Sequence, residues 1–196
     1  MKIAIIKYNA GNVKSVEIAL ERLGISSILT DDPAEILSAD KIIFPGVGEA
    51  SSAMNYLKAR GLDRVILEVT QPFLGICLGM QLMCTFSEEN NAVCLGVFQE
   101  KVLKFDSATI NLKTPQIGWN NIYNLSSPLF NDVTENSYCY FVHGYFASMG
   151  AQTIATAEYG LEYSAALKHN NYYGVQFHPE KSADVGSKII QNFIAI

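Results

Sequence analysis

Short runs that are apolar almost throughout, separated by stretches of helical periodicity, fill the first half of this 196-residue chain. Lys2–Ile6, Lys41–Phe44 and Phe73–Ile76 show no polar alternation, so each predicts a strand buried on both faces. Between the first two, Val13, Val16, Ala19, Leu20 and Leu23 recur at helical spacing, and Gly24 stands at the stop position. Ile25–Leu29 reads as another strand. Asp32-Pro33 followed by Glu35 reads as the N-cap and first turn of a short helix. Helical patterning then fills Ala50–Arg60 and Leu62–Val69. Alternation of this kind implies crossover connections, hence a mostly parallel sheet covered by helices on both faces. Ligands of such sheets sit at the carboxyl ends of the strands.

After about Phe86 the pattern changes. Glu100–Phe105, Tyr138–Val142, Thr153–Glu158, Tyr163–Lys168 and Tyr172–Phe177 read as strands, with turns at Asn111–Pro115 and Asn170-Asn171. A helix over Asp184–Ile194 closes the chain. The C-terminal half is therefore expected to add antiparallel strands to the α/β sheet. Without a repeat, linker or charge block, residues 1–196 are read as a single α/β domain.

Composition narrows the function classes. A hydrophobic content of 49% excludes a disordered chain. A net charge of −5 with only three arginines argues against nucleic-acid binding. The apolar runs fall far short of the ~20 residues of a membrane span, and Met1–Lys7 is too brief for a signal peptide. Cys77, Cys84, Cys94 and Cys139 form no C-x-x-C pair and the three histidines are scattered, so no metal site is expected. Reduced thiols in a cytoplasmic protein are the expectation, with Cys84, Cys94 and Cys139 serving core packing. The glycine-rich Pro45-Gly46-Val47-Gly48 lacks the Lys-Ser/Thr of a P-loop and the G-x-G-x-x-G of a dinucleotide site, and no cofactor is expected.

Cys77 is the exception among the thiols. A buried strand runs into Gly75, the cysteine follows, Gly79 comes next and a helix begins: the strand–turn–helix context of a nucleophile elbow, as G-x-C-x-G. A helix N-terminus favours the thiolate, and the backbone N–H of Leu78 is placed to serve as one oxyanion donor. Loop 46–48, after another strand, suits the second. Near the C-terminus, Phe177-His178-Pro179-Glu180 supplies a base and its orienter. Two residues apart at a strand end, His178 and Glu180 are expected to share one face of the pleat.

Taken together, Gly75-Ile76-Cys77-Leu78-Gly79-Met80-Gln81, the Pro-Gly-Val-Gly loop and Phe177-His178-Pro179-Glu180 resemble the class I (triad-type) glutamine amidotransferases along the whole chain. Tyr8-Asn9-Ala10-Gly11-Asn12, Ile117-Gly118-Trp119-Asn120, Tyr140-Phe141-Val142-His143 and Lys181-Ser182 narrow the resemblance to the glutaminase subunits of imidazole glycerol phosphate synthase. The resemblance implies that Cys77 attacks the amide of L-glutamine, His178 moves the proton and Glu180 positions His178. It implies substrate contacts from Gln81 and Glu89, the latter suited to the α-ammonium group, and from the backbone of His143, Gly144 and Tyr145 to the α-carboxylate. Gly46, Val47 and Gly48 would complete the oxyanion hole once the partner is loaded with its own ligand. That partner is a (β/α)8-barrel cyclase subunit in a heterodimer, receiving ammonia to make imidazole glycerol phosphate and an aminoimidazole carboxamide ribonucleotide. Asn12, Trp119, Tyr140 and Lys181 would lie at its interface. Lys7, Asn9 and Gly144 depart from the family pattern, where an acidic residue, glycine and serine are common. His143, with no carboxylate two residues on, is read as structural or substrate-lining.

Two other readings stay open on the residues alone. One is a glutaminase of the same class serving another synthase, such as one making GMP or an aminated chorismate. The other is a cysteine hydrolase or a non-catalytic binding module on a similar sheet.

Overall fold

The computed structural model describes residues 1–8 and 11–196; Asn9 and Ala10, part of the first family motif, lie outside the described residues. The N-terminal half alternates β1 (Ile3–Ile6), α1 (Val13–Arg22), β2 (Ser27–Thr30), α2 (Pro33–Leu37), β3 (Lys41–Phe44), α3 (Ala50–Ala59), α4 (Leu62–Glu68), β4 (Phe73–Ile76) and α5 (Leu78–Met83). Then come β5 (Phe86–Ser87), β6 (Ala92–Val93), β7 (Lys101–Lys104), α6 (Ser107–Ile110), β8 (Gln116–Ile122) and β9 (Ser137–His143). The chain ends with β10 (Tyr145–Ala147), β11 (Thr153–Glu158), β12 (Glu162–His169), β13 (Tyr172–Val175) and α7 (Ala183–Ala195).

Local chemistry accounts for several boundaries. Asp32 Oδ1 accepts from the Ala34 N–H at 2.8 Å and so caps α2, whose first residue is Pro33. After α1 the Gly24 N–H closes on the Glu21 carbonyl at 2.9 Å with φ 73°, which ends the helix where the sequence pattern stops.

Eleven strands form one sheet in the order β2-β1-β3-β4-β13-β12-β10-β7-β5-β6, with β11 on β12, while β8 and β9 pair as a separate hairpin-like sheet. Pairings from β2 through β13 are parallel; β13–β12, β12–β10 and β10–β7 are antiparallel. The all-apolar strands now have a reason. Ile3, Ile5, Ile43 and Leu74 enter the core on one face, and Ala4, Ile6, Ile42 and Phe73 enter the core on the other. Full burial of each isoleucine, leucine or phenylalanine among them is worth about 1.5–3 kcal/mol, so both faces resist polar substitution. Among the described residues, no helix is long and apolar enough to cross a membrane.

The expected boundaries in the parallel half hold to within about two residues. The differences lie later: β8, β10 and the two-residue β5 and β6 are additional strands, and β13 stops at Val175 rather than Phe177. One topological fact positions the chemistry. β3, β4 and β13 are adjacent and parallel, with Phe44 beside Gly75 and Val175 beside Ile76. The segments that follow them (the 45–48 loop, Cys77 and the stretch ending in Glu180) therefore leave the sheet at the same edge.

Candidate active site

Cys77 follows β4 directly and precedes α5 with φ 52° and ψ −110°. A non-glycine residue held there costs about 1–3 kcal/mol, so its surroundings must over-determine it. They do: the Cys77 N–H donates to the Val175 carbonyl at 2.8 Å, and its own carbonyl accepts from Gln81 N–H at 3.1 Å. Both flanking glycines are required by close approach. A Cβ on Gly79 would strike the Phe44 carbonyl oxygen, and one on Gly75 would lie 2.8 Å from the Met80 backbone nitrogen. The G-x-C-x-G pattern is thus a packing requirement that presents the thiol at the sheet edge.

Behind the thiol stands a shielded pair. His178 Nδ1 lies 2.8 Å from Glu180 Oε1, with side-chain exposures of 1% and 0%. The carboxylate thereby assigns the Nδ1 proton and turns Nε2 outward as the free ring nitrogen. Among the described residues, Nε2 has no partner of hydrogen-bond geometry, while Cys77 is near enough for its charge to act on the ring. Burial alone would lower the His178 pKa. The thiolate charge of Cys77, together with Glu180, reverses this and pushes it up to about 10. The ring held by Glu180 is thus placed to pair with negative charge on the Cys77 sulfur.

The way His178 and Glu180 meet differs from the expectation. The strand has already ended at Val175, and Pro179–Lys181 is a single 3-10 turn. Glu180 reaches the ring by curling back through that turn rather than by sharing a pleat. Ser182 Oγ donates to the His178 carbonyl at 2.7 Å and accepts from the Tyr140 N–H at 2.9 Å, and the His178 N–H donates to the Tyr140 carbonyl at 2.9 Å, clamping the turn to β9.

In front of Cys77 is a cavity of about 150 Å³ lined by Val47, Gly48, Leu78, Gln81 and Glu89 on one side and Val142–Tyr145 on the other. This is below the roughly 300–1,000 Å³ of pockets for drug-sized ligands and suits an amino-acid-sized guest. Gln81 donates to the Tyr145 carbonyl at 2.8 Å and to Gln176 Oε1 at 2.9 Å, which leaves its own oxygen as the acceptor. Glu89 is half-buried, accepts from the Ala50 N–H at 2.8 Å, and has its pKa raised by burial. His143 donates from Nδ1 to the Tyr145 carbonyl at 2.7 Å, and burial lowers its pKa to about 4, so it is neutral and lines the wall rather than acting as base.

The oxyanion side is arranged differently. The Leu78 N–H donates to the Gly46 carbonyl at 3.3 Å, and the Val47 carbonyl accepts from Gly11 N–H at 3.4 Å. The N–H expected to face an oxyanion is thus engaged by the very loop expected to supply the second donor.

The remaining expected site residues gather elsewhere, with one exception. Trp119 is 53% exposed and meets Tyr140 edge-on at 6.0 Å. Trp119, Glu180 and Lys181 line a separate cleft of about 500 Å³ between α1 and α7. Asn12 is the exception. It has φ 70°, makes no side-chain cap for α1, and its amide donates instead to Glu180 Oε1. Sequence reasoning missed Gln176, a fully buried glutamine whose Nε2 lies 3.6 Å from Cys77 Sγ. The only signal for it was one polar residue between Val175 and Phe177. Of the other thiols, burial pushes Cys139 up to about 12, Cys94 up to about 11 and Cys84 well above its ordinary value. None of these three is poised to react.

An elbow cysteine with a buried His–Glu pair on a parallel α/β sheet defines a class, and the chain belongs to the glutamine amidotransferase class-I family, which it matches over residues 4–196. Within that class it is similar to imidazole glycerol phosphate synthase subunit HisH of Bacteroides fragilis (strain YCH46), 50% identical over 196 residues and the whole of both chains. The HisH subunit of Bacteroides thetaiotaomicron is 48% identical over 99% of each chain. A solved glutamine amidotransferase from Thermotoga maritima shares the fold, with a TM-score of 0.65 at 19% identity over 99% of this chain and 82% of that one.

Proposed function

We propose that this chain is the glutaminase subunit of an imidazole glycerol phosphate synthase in histidine biosynthesis, hydrolysing L-glutamine to glutamate and ammonia. The observation that carries the chemistry is the shielded His178–Glu180 pair standing behind a thiol on a strained elbow. The Cys77 thiolate attacks the side-chain amide carbon, and the oxygen takes up the negative charge. As that charge returns, the C–N bond breaks and His178 delivers its proton to the departing nitrogen, releasing ammonia. The resulting thioester is opened by water, from which His178 takes a proton. Glutamate leaves and the thiolate is restored.

The pocket suits this substrate. Glu89 offers a carboxylate to the α-ammonium group, Gln81 offers an acceptor, and the His143–Tyr145 segment offers backbone to the α-carboxylate. Residues 1–196 act as one amidotransferase domain in the cytoplasm, docked through Asn12, Trp119, Tyr140 and Lys181 onto a (β/α)8-barrel cyclase that consumes the ammonia. Loop 46–48 completes the oxyanion hole when that partner holds its ligand. The engaged Leu78 N–H supports this coupling, because a donor already bonded to Gly46 serves an oxyanion poorly.

The test is glutamate release from glutamine, with and without the cyclase and its nucleotide substrate. Stimulation of about 10²–10³-fold by the loaded partner is expected, the range that one oxyanion donor supplies. Turnover indifferent to this partner would point to another acceptor, and no turnover in either condition would return the binding-module reading.

A further inference from the structure

Behind the substrate contact Gln81 lies a relay whose direction is set by chemistry rather than by assumption. The Tyr145 carbonyl oxygen can only accept, so the Gln81 side chain must turn its nitrogen toward it, at 2.8 Å. The same nitrogen has a second proton, which goes to Gln176 at 2.9 Å. Gln176 must therefore present its oxygen to Gln81 and its nitrogen to the other side, where Cys77 Sγ lies 3.6 Å away. Gln176 is wholly buried, and its backbone N–H is tied to the Ala165 carbonyl at 2.8 Å, so the side chain has little freedom to turn over.

We propose that Gln176 is a catalytic residue: a second hydrogen-bond donor to the Cys77 thiolate, locked in the donor orientation by the Tyr145–Gln81 relay. A neutral thiol is a weak acceptor and gains little from such a bond, whereas a thiolate gains the strength of a charge-assisted one. The Val142 carbonyl, 3.9 Å from Sγ, has the opposite preference and can serve only the protonated thiol. The ionisable groups around the sulfur are His178 with Glu180 behind it, Tyr8 after β1, and Glu89 and His143 on the cavity wall. Of these only His178 carries a positive charge, so Gln176 is a neutral donor that supports the anion without adding a second titrating cation. It also joins the substrate contact to the nucleophile: a guest that pulls on Gln81 acts on the thiolate through one intervening amide.

The inference rests on Cys77 being the nucleophile, and its test reads the sulfur without any substrate, so it can fail while the glutaminase reading stands. Gln176→Met and Gln176→Glu are compared with the unsubstituted chain for iodoacetamide alkylation of the Cys77-containing peptide, read by mass spectrometry across pH. With the fold verified by circular dichroism, the Gln176→Met profile should move up by about one pH unit, a roughly tenfold loss of reactive thiolate on its lower limb. Gln176→Glu should move it further. An unmoved profile in folded Gln176→Met overturns the proposal. If neither variant folds, the Gln176 side-chain amide resonances of the ¹⁵N-labelled unsubstituted chain decide. They should shift through the same pH range in which Cys77 becomes reactive, and resonances indifferent to that titration overturn it.

Discussion

The two sides of Cys77 are finished to different degrees. On the acid–base side each group has its neighbour in place. Glu180 holds His178, Asn12 holds Glu180, and the turn that carries both is clamped to β9. On the oxyanion side the Leu78 N–H is bonded to Gly46 within the chain. A cysteine with its His–Glu neighbours in place thus stands beside a backbone N–H that is already bonded within the chain. In the proposed reaction, the difference separates readiness of the nucleophile, which depends on burial and charge, from stabilisation of the intermediate, which depends on the backbone of one short loop.

That separation can be attacked from either side. The largest effect is expected for Cys77→Ala: glutamate release should fall by roughly 10⁴-fold or more, alone and with the partner, while the thermal transition stays cooperative. Retained hydrolysis would mean that another group is the nucleophile. Asn12→Ala should act on one side only. With the partner in saturating excess, so that any weakening of the docking contact does not count, loss of its bond to a buried carboxylate is expected to slow turnover about tenfold with and without the loaded partner, leaving the stimulation ratio unchanged. A collapsed ratio with intact basal turnover would instead place Asn12 in the coupling to the loop.

A third test concerns the cavity wall and reads stability rather than turnover. His143 has its pKa lowered from 6.5 to about 4, so the folded chain binds this proton more weakly than the unfolded chain does. Its contribution, on the order of 3 kcal/mol, is therefore complete above about pH 6.5 and is lost as the pH falls toward 4. The melting temperature should drop across that window, and His143→Gln should flatten the drop. An equal drop in the variant would assign acid lability to other groups.

The parallel half was legible because four-residue runs such as Ile3–Ile6 and Phe73–Ile76 must be buried on both faces, and few elements accept that. The same logic failed for Gln116–Ile122, where Gly118, Asn120 and Asn121 leave no apolar face to read and the strand exists through its pairing with β9. β10, with three residues, is too short for any period to show. At the site, Cys77 announced itself through its glycines. Asn12 could not: an asparagine before a helix reads as a cap, and its actual bond reaches Glu180 across 168 positions. The His178–Glu180 contact was foreseen but for the wrong geometric reason, since proline-led turns can bring i and i+2 together as well as a pleat can.

β13 is the last strand in sequence, yet it lies in the middle of the sheet, between β4 and β12. During synthesis Cys77 therefore emerges long before the strand that leads to His178. Until β13 inserts, β4 is an open edge, available to the wrong strand, and Cys77 is an ordinary thiol without the Val175 carbonyl that holds its backbone. Reactivity at Cys77 is thus a report on completed folding. A probe of that thiol distinguishes chains that have inserted their final strand from those that have merely collapsed.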